Sequence, residues 1–197
     1  PLCVLTVIDF VDGPYLDEND TVTTIAPGAT TGNTTATVVG TGIFDPLHVG
    51  SIWRIKHSTT WGYFKITYVT TNKLANITVL STLGGTGAVT VWREGAFSDY
   101  RGYPTCLAFH EQRLLFSGVA NNPQTIYASW VGAYEDFTPP GTEDDGAYTH
   151  TIAAEKANVI RWMTPSTNLI VGTSGGVWRV GSQDYSSPIT QSNVKAV

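Results

Sequence analysis

The chain has 197 residues, a formal net charge of −5 at pH 7, 42% hydrophobic residues and only 14% charged residues. A negative charge without any basic run argues against gripping nucleic acid through phosphates, which needs clustered Lys and Arg. The sparse charge favours a surface that neighbouring subunits partly cover. A compact all-β protein with polar, uncharged faces would have the same composition.

The chain is predicted to be part of a longer protein. It opens inside the apolar run Pro1-Leu-Cys3, and its single methionine is Met163. No apolar run approaches the roughly 18 residues of a membrane-spanning helix, so we expect no membrane partner. Cys3 and Cys106 lie in apolar, strand-like runs. This setting favours two buried free thiols over one disulfide, which stays open as the alternative.

Runs rich in Val, Ile, Thr, Tyr and Trp alternate with Gly, Pro, Asn and Asp breakers, and helical periodicity is nearly absent. We therefore predict an all-β protein. The predicted strands of the first half are 2–10, 21–25, 34–39, 51–57, 63–70, 74–80 and 88–93. Short strands at this density indicate a small β-barrel over 12–95. We predict that this barrel is inserted after 1–11, a strand of the domain that flanks it.

From residue 96 onward the predicted strands come in hairpin pairs. They are 105–109 with 113–117, joined by a turn at His110-Glu111 and followed after a loop by a strand in 122–130. A second group is 159–163 with 169–173 and 177–181. Glycine-containing turns such as Thr173-Ser-Gly-Gly176 suit tight hairpins. A β-propeller blade has four strands in about 40 residues, so 96–197 is predicted to be propeller-like and to supply about two blades.

No constellation of catalytic residues stands out, so we predict no enzymatic activity, no cofactor and no metal site. The serines lack the Gly-x-Ser-x-Gly context of a hydrolase nucleophile. Asp99 and Glu111 are available as the paired carboxylates of a glycosidase, but no spacing singles them out. The histidines are scattered rather than paired as metal ligands are. They are His48, His57, His110 and His150.

Acidic residues gather in two loops, Asp17-Glu-Asn-Asp20 and Thr142-Glu-Asp-Asp-Gly146. Hard cations need several oxygens on a short turn, but a solvated turn is favoured for both loops. The second loop has the further interpretation of an inter-subunit contact. Glu143, Asp144 and Asp145 are therefore the candidate channel or interface residues.

The most informative stretch spans residues 102–137, where several short motifs follow one another. They are Gly102-Tyr-Pro104, Gln112-Arg-Leu114, Phe116-Ser-Gly118, Pro123-Gln124 with Ser129, and Tyr134 with Phe137. In this order, preceded by the run from Trp92 to Ser98, they resemble the tail hub or nozzle (tail tubular) structural proteins of tailed bacteriophages.

Asp12-Gly-Pro14 and His48-Val-Gly50 resemble the inserted small barrel of prophage relatives that are named for a ubiquitin-activating-enzyme-like domain. This name implies a shape only. The chain has no adenylating motif, and neither cysteine lies in the basic setting that a catalytic thiol needs.

The resemblance implies a virion protein of the phage tail, made in the host cytoplasm. It implies a ring of identical subunits, six in the relatives, in contact with other tail or adaptor proteins. DNA would pass through the ring transiently and without sequence preference. An acidic or neutral lining suits such transit, because phosphate contacts would slow it. The alternative is a carbohydrate- or host-receptor-binding β module of a tail, which exposed coplanar aromatic residues in a groove would favour.

Overall fold

The computed structural model describes residues 10–141, 143–153, 158–184 and 186–197. Nearly all of the predicted strand 2–10, with Cys3, lies outside these residues. Contacts divide the chain into two compact units. We call residues 14–103 the inserted unit, and the described residues of 10–13 and 104–197 the flanking unit. The sequence pattern placed this boundary at 12 and 95.

The inserted unit contains seven strands in one antiparallel sheet, in the order β1-β7-β4-β5-β6-β3-β2. The strands are β1 (Tyr15–Glu18), β2 (Thr24–Pro27), β3 (Gly32–Val39), β4 (Ile52–His57), β5 (Thr60–Thr71), β6 (Leu74–Val79) and β7 (Trp92–Gly95). A single turn of 3₁₀ helix, Pro46–His48, precedes β4, and the Asp45 side chain caps it.

The core of the inserted unit lies on one face of this sheet. Trp53 and Ile55 alternate inward on β4, and Phe64 and Ile66 do so on β5. Trp92 stacks on Trp53 with ring centroids 5.5 Å apart. Period-two alternation of large apolar side chains thus places the core where the sequence predicted half-buried strands.

The predicted barrel is not closed among the described residues. Only one residue pair, Ile25 with Val89, bridges the β2 edge to the chain that enters β7, through two hydrogen bonds of 3.0 Å. The predicted strand 88–93 begins later, at Trp92, and of residues 88–91 only Val89 forms a bridge. The region next to β2 therefore supplies a single bridge instead of a ladder.

The flanking unit contains two four-stranded antiparallel sheets, in the orders β11-β10-β9-β8 and β12-β13-β14-β15. The first comprises β8 (Cys106–His110), β9 (Arg113–Val119), β10 (Asn122–Ala128) and β11 (Tyr148–Thr151). The second comprises β12 (Ile160–Thr164), β13 (Leu169–Thr173), β14 (Gly176–Ser182) and β15 (Val194–Ala196). Each sheet is a meander of four sequential strands, the connectivity of a propeller blade.

The all-β prediction is confirmed. Side chains of both four-stranded sheets share one core, in which Leu115, Ile126, Ile160 and Val171 are fully buried. Cys106 is a buried free thiol at the edge of this core. Within the described part of the chain, no helix has the length and apolar character needed to cross a membrane.

Candidate functional site

The predicted acidic residues lie on a cleft of the flanking unit. Asp144 and Asp145 line a cavity of about 820 Å³, together with Glu111 from the β8–β9 turn. Glu143 instead folds back on its own loop, where its Oε2 accepts a 2.9 Å hydrogen bond from the Gly141 N–H. The structure therefore brings two of the three predicted residues together and adds Glu111 to them.

Arg113 anchors the walls of this cleft. It is only 2% exposed, and its guanidinium donates to backbone carbonyls of three different segments. Its Nη1 donates to the backbone oxygen of Ser129 at 2.8 Å and to the backbone oxygen of Gly146. Its Nη2 donates to the backbone oxygens of Asp144 at 3.3 Å and Ile189 at 3.5 Å. A planar fork of donors suits this task, because its hydrogen bonds diverge in fixed directions.

The turn beside Arg113 holds the same loop from the other side. Glu111 Oε2 accepts the Ile189 N–H at 2.8 Å, while Arg113 takes the Ile189 oxygen. Both turn residues adopt left-handed backbone, with φ of 48° at Glu111 and 57° at Gln112. Residues other than Gly and Asn rarely adopt this backbone conformation, so tertiary contacts stabilise the turn.

The cleft has acids and hydroxyls, and its described residues do not form a serine–histidine grouping. Ser182 and Ser187 donate their hydroxyls to Asp184 at 2.8 Å each, so the serines hydrogen-bond to a carboxylate rather than to a base. No histidine is among the described residues that line it, and serine nucleophiles depend on such a base. Glu111 is engaged with the backbone of Ile189, and Asp99 belongs to the inserted unit.

The histidines serve separate local contacts. His57 Nε2 lies 2.8 Å from the Gly87 oxygen, and His110 is buried with Nε2 3.9 Å from Glu111 Oε1. Burial lowers the pKa of His110, while the Glu111 charge opposes this shift. Burial likewise lowers the pKa of His150 on β11. The described residues contain no group of three or more His, Cys, Asp or Glu side chains placed to hold a metal ion.

The first acidic loop is organised by an asparagine. The Asn19 amide donates to the backbone oxygens of Thr21, Thr23 and Thr90, and its own oxygen accepts from Thr21. Asp17 and Glu18 belong to strand β1 rather than to a loop, which spreads the carboxylates along an extended chain.

An exposed apolar surface lies on the outer face of β8. Leu107 and Phe109 alternate outward there, and Phe109 is 54% exposed. The Tyr134 ring meets Phe109 edge-on at 5.2 Å. We call Leu107, Phe109 and Tyr134 the β8 outer surface. Exposed apolar side chains in a contiguous group mark a protein contact more often than isolated ones do.

A buried ion-pair network lies in the inserted unit. The two carboxylate oxygens of Glu94 on β7 accept hydrogen bonds from Arg101, one from Nε and one from Nη2, each 2.6 Å long. His48 Nε2 lies 3.1 Å from Glu94 Oε1, although the two atoms do not meet hydrogen-bond geometry. Burial acts to raise the pKa of Glu94, but the hydrogen bonds and charge of Arg101, with the close approach of His48, outweigh it, so this pKa lies below its ordinary value.

Sequence reasoning missed both arginine-centred networks. The signal for Arg113 was its place one residue after a two-residue turn, on the inward side of an alternating strand. The signal for Glu94 was a charged residue between Trp92 and the small residues Gly95 and Ala96. A charged residue at a position where the pattern predicts a buried apolar side chain indicates a buried partner, since burying an unpaired charge is unfavourable in free energy.

No protein-family model matches the chain, and no curated protein matches its sequence. The class that the fold defines is an all-β protein of two units. The resemblance to tail proteins rests on the sequence motifs alone, most of which lie in residues 92–137.

Proposed function

We propose that the protein is a structural subunit of a bacteriophage tail, part of the hub or nozzle ring through which DNA leaves the virion. It works by assembly and carries out no reaction. One observation carries this proposal: the motif residues on which the resemblance rests make hydrogen bonds and packing contacts inside the flanking unit.

Those motif residues support one another inside the flanking unit. Arg113 donates to the Ser129 oxygen, the Leu114 N–H donates to Ser129 Oγ at 3.0 Å, and the Ser129 N–H donates to the Leu114 oxygen at 2.9 Å. Gln124 Nε2 donates to the Ile152 oxygen at 2.9 Å, and Phe137 is buried. A motif spent on internal contacts suits a structural role, whereas an active-site motif leaves groups directed at a substrate.

Two surfaces of the flanking unit fit a neighbouring subunit or a conduit. The β8 outer surface offers exposed Leu107, Phe109 and Tyr134, which a subunit interface would cover. The cleft offers the carboxylates of Asp144 and Asp145, and its one arginine is committed to backbone oxygens. An acidic surface of this kind repels phosphate, so DNA would pass without being held.

Electron microscopy of the full-length protein tests the proposal directly. We expect rings of identical subunits around an axial hole wide enough for duplex DNA. Particles that stay monomeric under assembly conditions, or closed particles without a channel, would contradict the assembly role. Hydrolysis of host polysaccharide by the purified wild-type protein would contradict the non-enzymatic role.

Replacing the three loop acids tests whether they take part in assembly or transit. The variant Glu143→Ser/Asp144→Ser/Asp145→Ser should fold normally, because exposed substitutions change the free energy of unfolding by no more than about 0.5 kcal/mol. It should reduce virion assembly or DNA delivery. The control is Asp17→Ser/Asp20→Ser, which removes exposed acids from the inserted unit. Equal infectivity of both variants and the wild type would remove the loop acids from the proposal.

One observation favours the second candidate, a carbohydrate- or receptor-binding module. Trp162 on β12 is 47% exposed, and its indole lies across Gly172 on the neighbouring strand, beside exposed Val177. A flat, exposed indole can stack on a sugar ring, although a tryptophan that covers a strand glycine also has a purely structural use. Binding of host surface glycans that is lost in Trp162→Ala, but kept in Phe109→Ala, would support this second function.

A further inference from the structure

Residues 98–102 form a compact segment that closes the inserted unit, and we call them the strap. The Gly102 N–H donates to the Ser98 oxygen at 2.7 Å, and the Arg101 N–H donates to Ser98 Oγ at 3.0 Å. The inserted unit ends one residue later, at Tyr103. The strap is therefore the last part of this unit before the chain enters the flanking unit.

Contacts from two different elements hold the strap in place. The Tyr100 N–H donates to the Leu47 oxygen of the 3₁₀ turn at 3.2 Å, and the Tyr100 ring lies 4.4 Å from the ring of His48. Arg101 reaches β7, where both of its bonds to Glu94 measure 2.6 Å. Two short bonds in a fork fix the direction of the arginine as well as its distance.

Glu94 is the group on which these contacts converge. Its carboxylate accepts both bonds from Arg101 and lies 3.1 Å from the His48 nitrogen, and its side chain is 10% exposed. The His48 Nδ1 atom accepts the Asp45 N–H at 3.0 Å, so His48 is itself fixed to the 3₁₀ turn. A largely buried carboxylate with such partners is costly to leave unpaired, because its burial limits the hydration that could replace the arginine.

We propose that Glu94, Arg101 and His48 form a latch that fastens the strap to the body of the inserted unit. While the latch is closed, Arg101 is bound to β7 and the strap follows its compact turn. When the Glu94 charge is lost, the fork bonds weaken and the strap opens without unfolding the sheet. This conformational device is independent of the proposed assembly role.

Trypsin provides a direct probe, because the latch residue Arg101 is also a cleavage site. The protease must take the arginine side chain into its own pocket and hold the Arg101–Gly102 bond in an extended form. Neither is possible while the side chain is bound to Glu94 and the strap is folded. When opening and closing are fast compared with cleavage, the cleavage rate follows the population of the open state.

The decisive variant is Glu94→Gln in the full chain, with cleavage products identified by mass spectrometry. The amide keeps the size of the carboxylate but loses its charge, so we expect cleavage at Arg101 to accelerate by about tenfold. The matched control is Glu18→Gln, which removes an exposed carboxylate 3.8 Å from Arg93 in the same sheet. This control should be cut at Arg101 at the wild-type rate.

Cleavage at Lys56 and Lys65 distinguishes latch opening from general unfolding. Both lysines lie within strands β4 and β5, so they become accessible only when the sheet itself opens. Cleavage at Arg101 that is faster in Glu94→Gln than in the wild type, and faster than cleavage at the two lysines in both proteins, supports the latch. Cleavage at Arg101 that is no faster than at the two lysines, or that stays at the wild-type rate in Glu94→Gln, overturns it.

A second variant tests the fork geometry without touching Glu94. Arg101→Lys keeps a positive charge and a trypsin site, but an ammonium group cannot make the paired bonds. We expect faster cleavage at position 101 here too, by a smaller factor than in Glu94→Gln. Cleavage at the wild-type rate would show that the fork does not hold the strap.

Discussion

The two units each use an arginine to fix a loop, but they give it different partners. In the inserted unit, Arg101 binds the carboxylate of Glu94. In the flanking unit, the hydrogen bonds of Arg113 to described residues all go to backbone carbonyl oxygens, those of residues 129, 144, 146 and 189. Both arrangements give two nitrogens of the guanidinium an oxygen acceptor, although Nε of Arg113 has none among the described residues. Only the first pairs the arginine with a group that can lose its charge.

The difference decides what each network responds to. Carbonyl oxygens do not titrate near neutral pH, so the Arg113 network is stable over a wide pH range. The carbonyls carry no net charge, so the buried guanidinium has no hydrogen-bonded counter-ion among the described residues. Burial accordingly lowers the pKa of Arg113, and the neighbouring Tyr148, Glu111 and Asp145 oppose this shift. The Arg101 network is neutral as a pair, and it depends on Glu94 staying ionised.

The largest effect is expected from Arg113→Leu. Removing the guanidinium leaves several carbonyl oxygens without donors inside the flanking unit, so the free energy of unfolding of that unit should fall by about 3–5 kcal/mol. Urea unfolding followed through amide NMR signals of β9 and β13 measures this loss. The control Arg161→Leu alters an exposed residue of β12 and should cost at most about 0.5 kcal/mol. Similar losses in the two variants would mean that Arg113 does not hold the unit together.

A smaller loss is expected from Glu94→Gln. The amide still accepts one bond from Arg101, whose side chain is 31% exposed and therefore partly screened by water. We expect the inserted unit to lose about 1–2 kcal/mol, as seen by amide signals of β4 and β5 in urea. The exposed pair probed by Glu18→Gln should contribute close to nothing. A loss in the flanking unit instead would break the assignment of Glu94 to the inserted unit.

The two units should also lose stability in different pH ranges. The buried, neutral His110 has a pKa below its ordinary 6.5, so the unfolded chain binds the proton more readily, and the flanking unit weakens as the pH falls below about 6.5. The pKa of Glu94 in the folded protein lies below its ordinary 4.5, so the ionised Glu94 stabilises the inserted unit. This stabilisation is fully present above about pH 4.5 and is lost as the pH falls through the lower, folded-state pKa.

Thermal unfolding monitored by amide signals of each unit checks this contrast between about pH 7 and about pH 2. His110→Gln should flatten the response of the flanking unit near pH 6, apart from a remaining part from His150, whose pKa is lowered in the same way. Weakening of both units over one common range would contradict the separation.

The smallest effect is expected from Asp144→Ser. Arg113 binds the backbone oxygen of Asp144 and not its carboxylate, so losing the carboxylate should change the free energy of unfolding by less than about 0.5 kcal/mol. The same urea experiment applies. A loss close to that of Arg113→Leu would show that the arginine depends on the side chain, and the contrast between the two units would disappear.

Several elements could be predicted from local pattern because each strand buries one face. β13 matches its predicted bounds of 169–173, and the β8–β9 turn falls where His110-Glu111 indicated it. Strands β1, β11 and β15 were not predicted, and all three lie at the edges of their sheets. An edge strand pairs on one side only and buries few side chains, so its sequence shows little alternation.

The sequence alone determined the all-β class, the position of most internal strands and the presence of a core, because these depend on the two-residue alternation of apolar side chains. It also placed acids on the loop that borders the cleft. The tertiary structure decided which distant groups meet: the Ile25–Val89 bridge, the carbonyls around Arg113, and the approach of Glu94 to Arg101 and His48. These contacts depend on which strands, far apart in the chain, lie next to each other in the fold. A local pattern of residues does not encode this pairing.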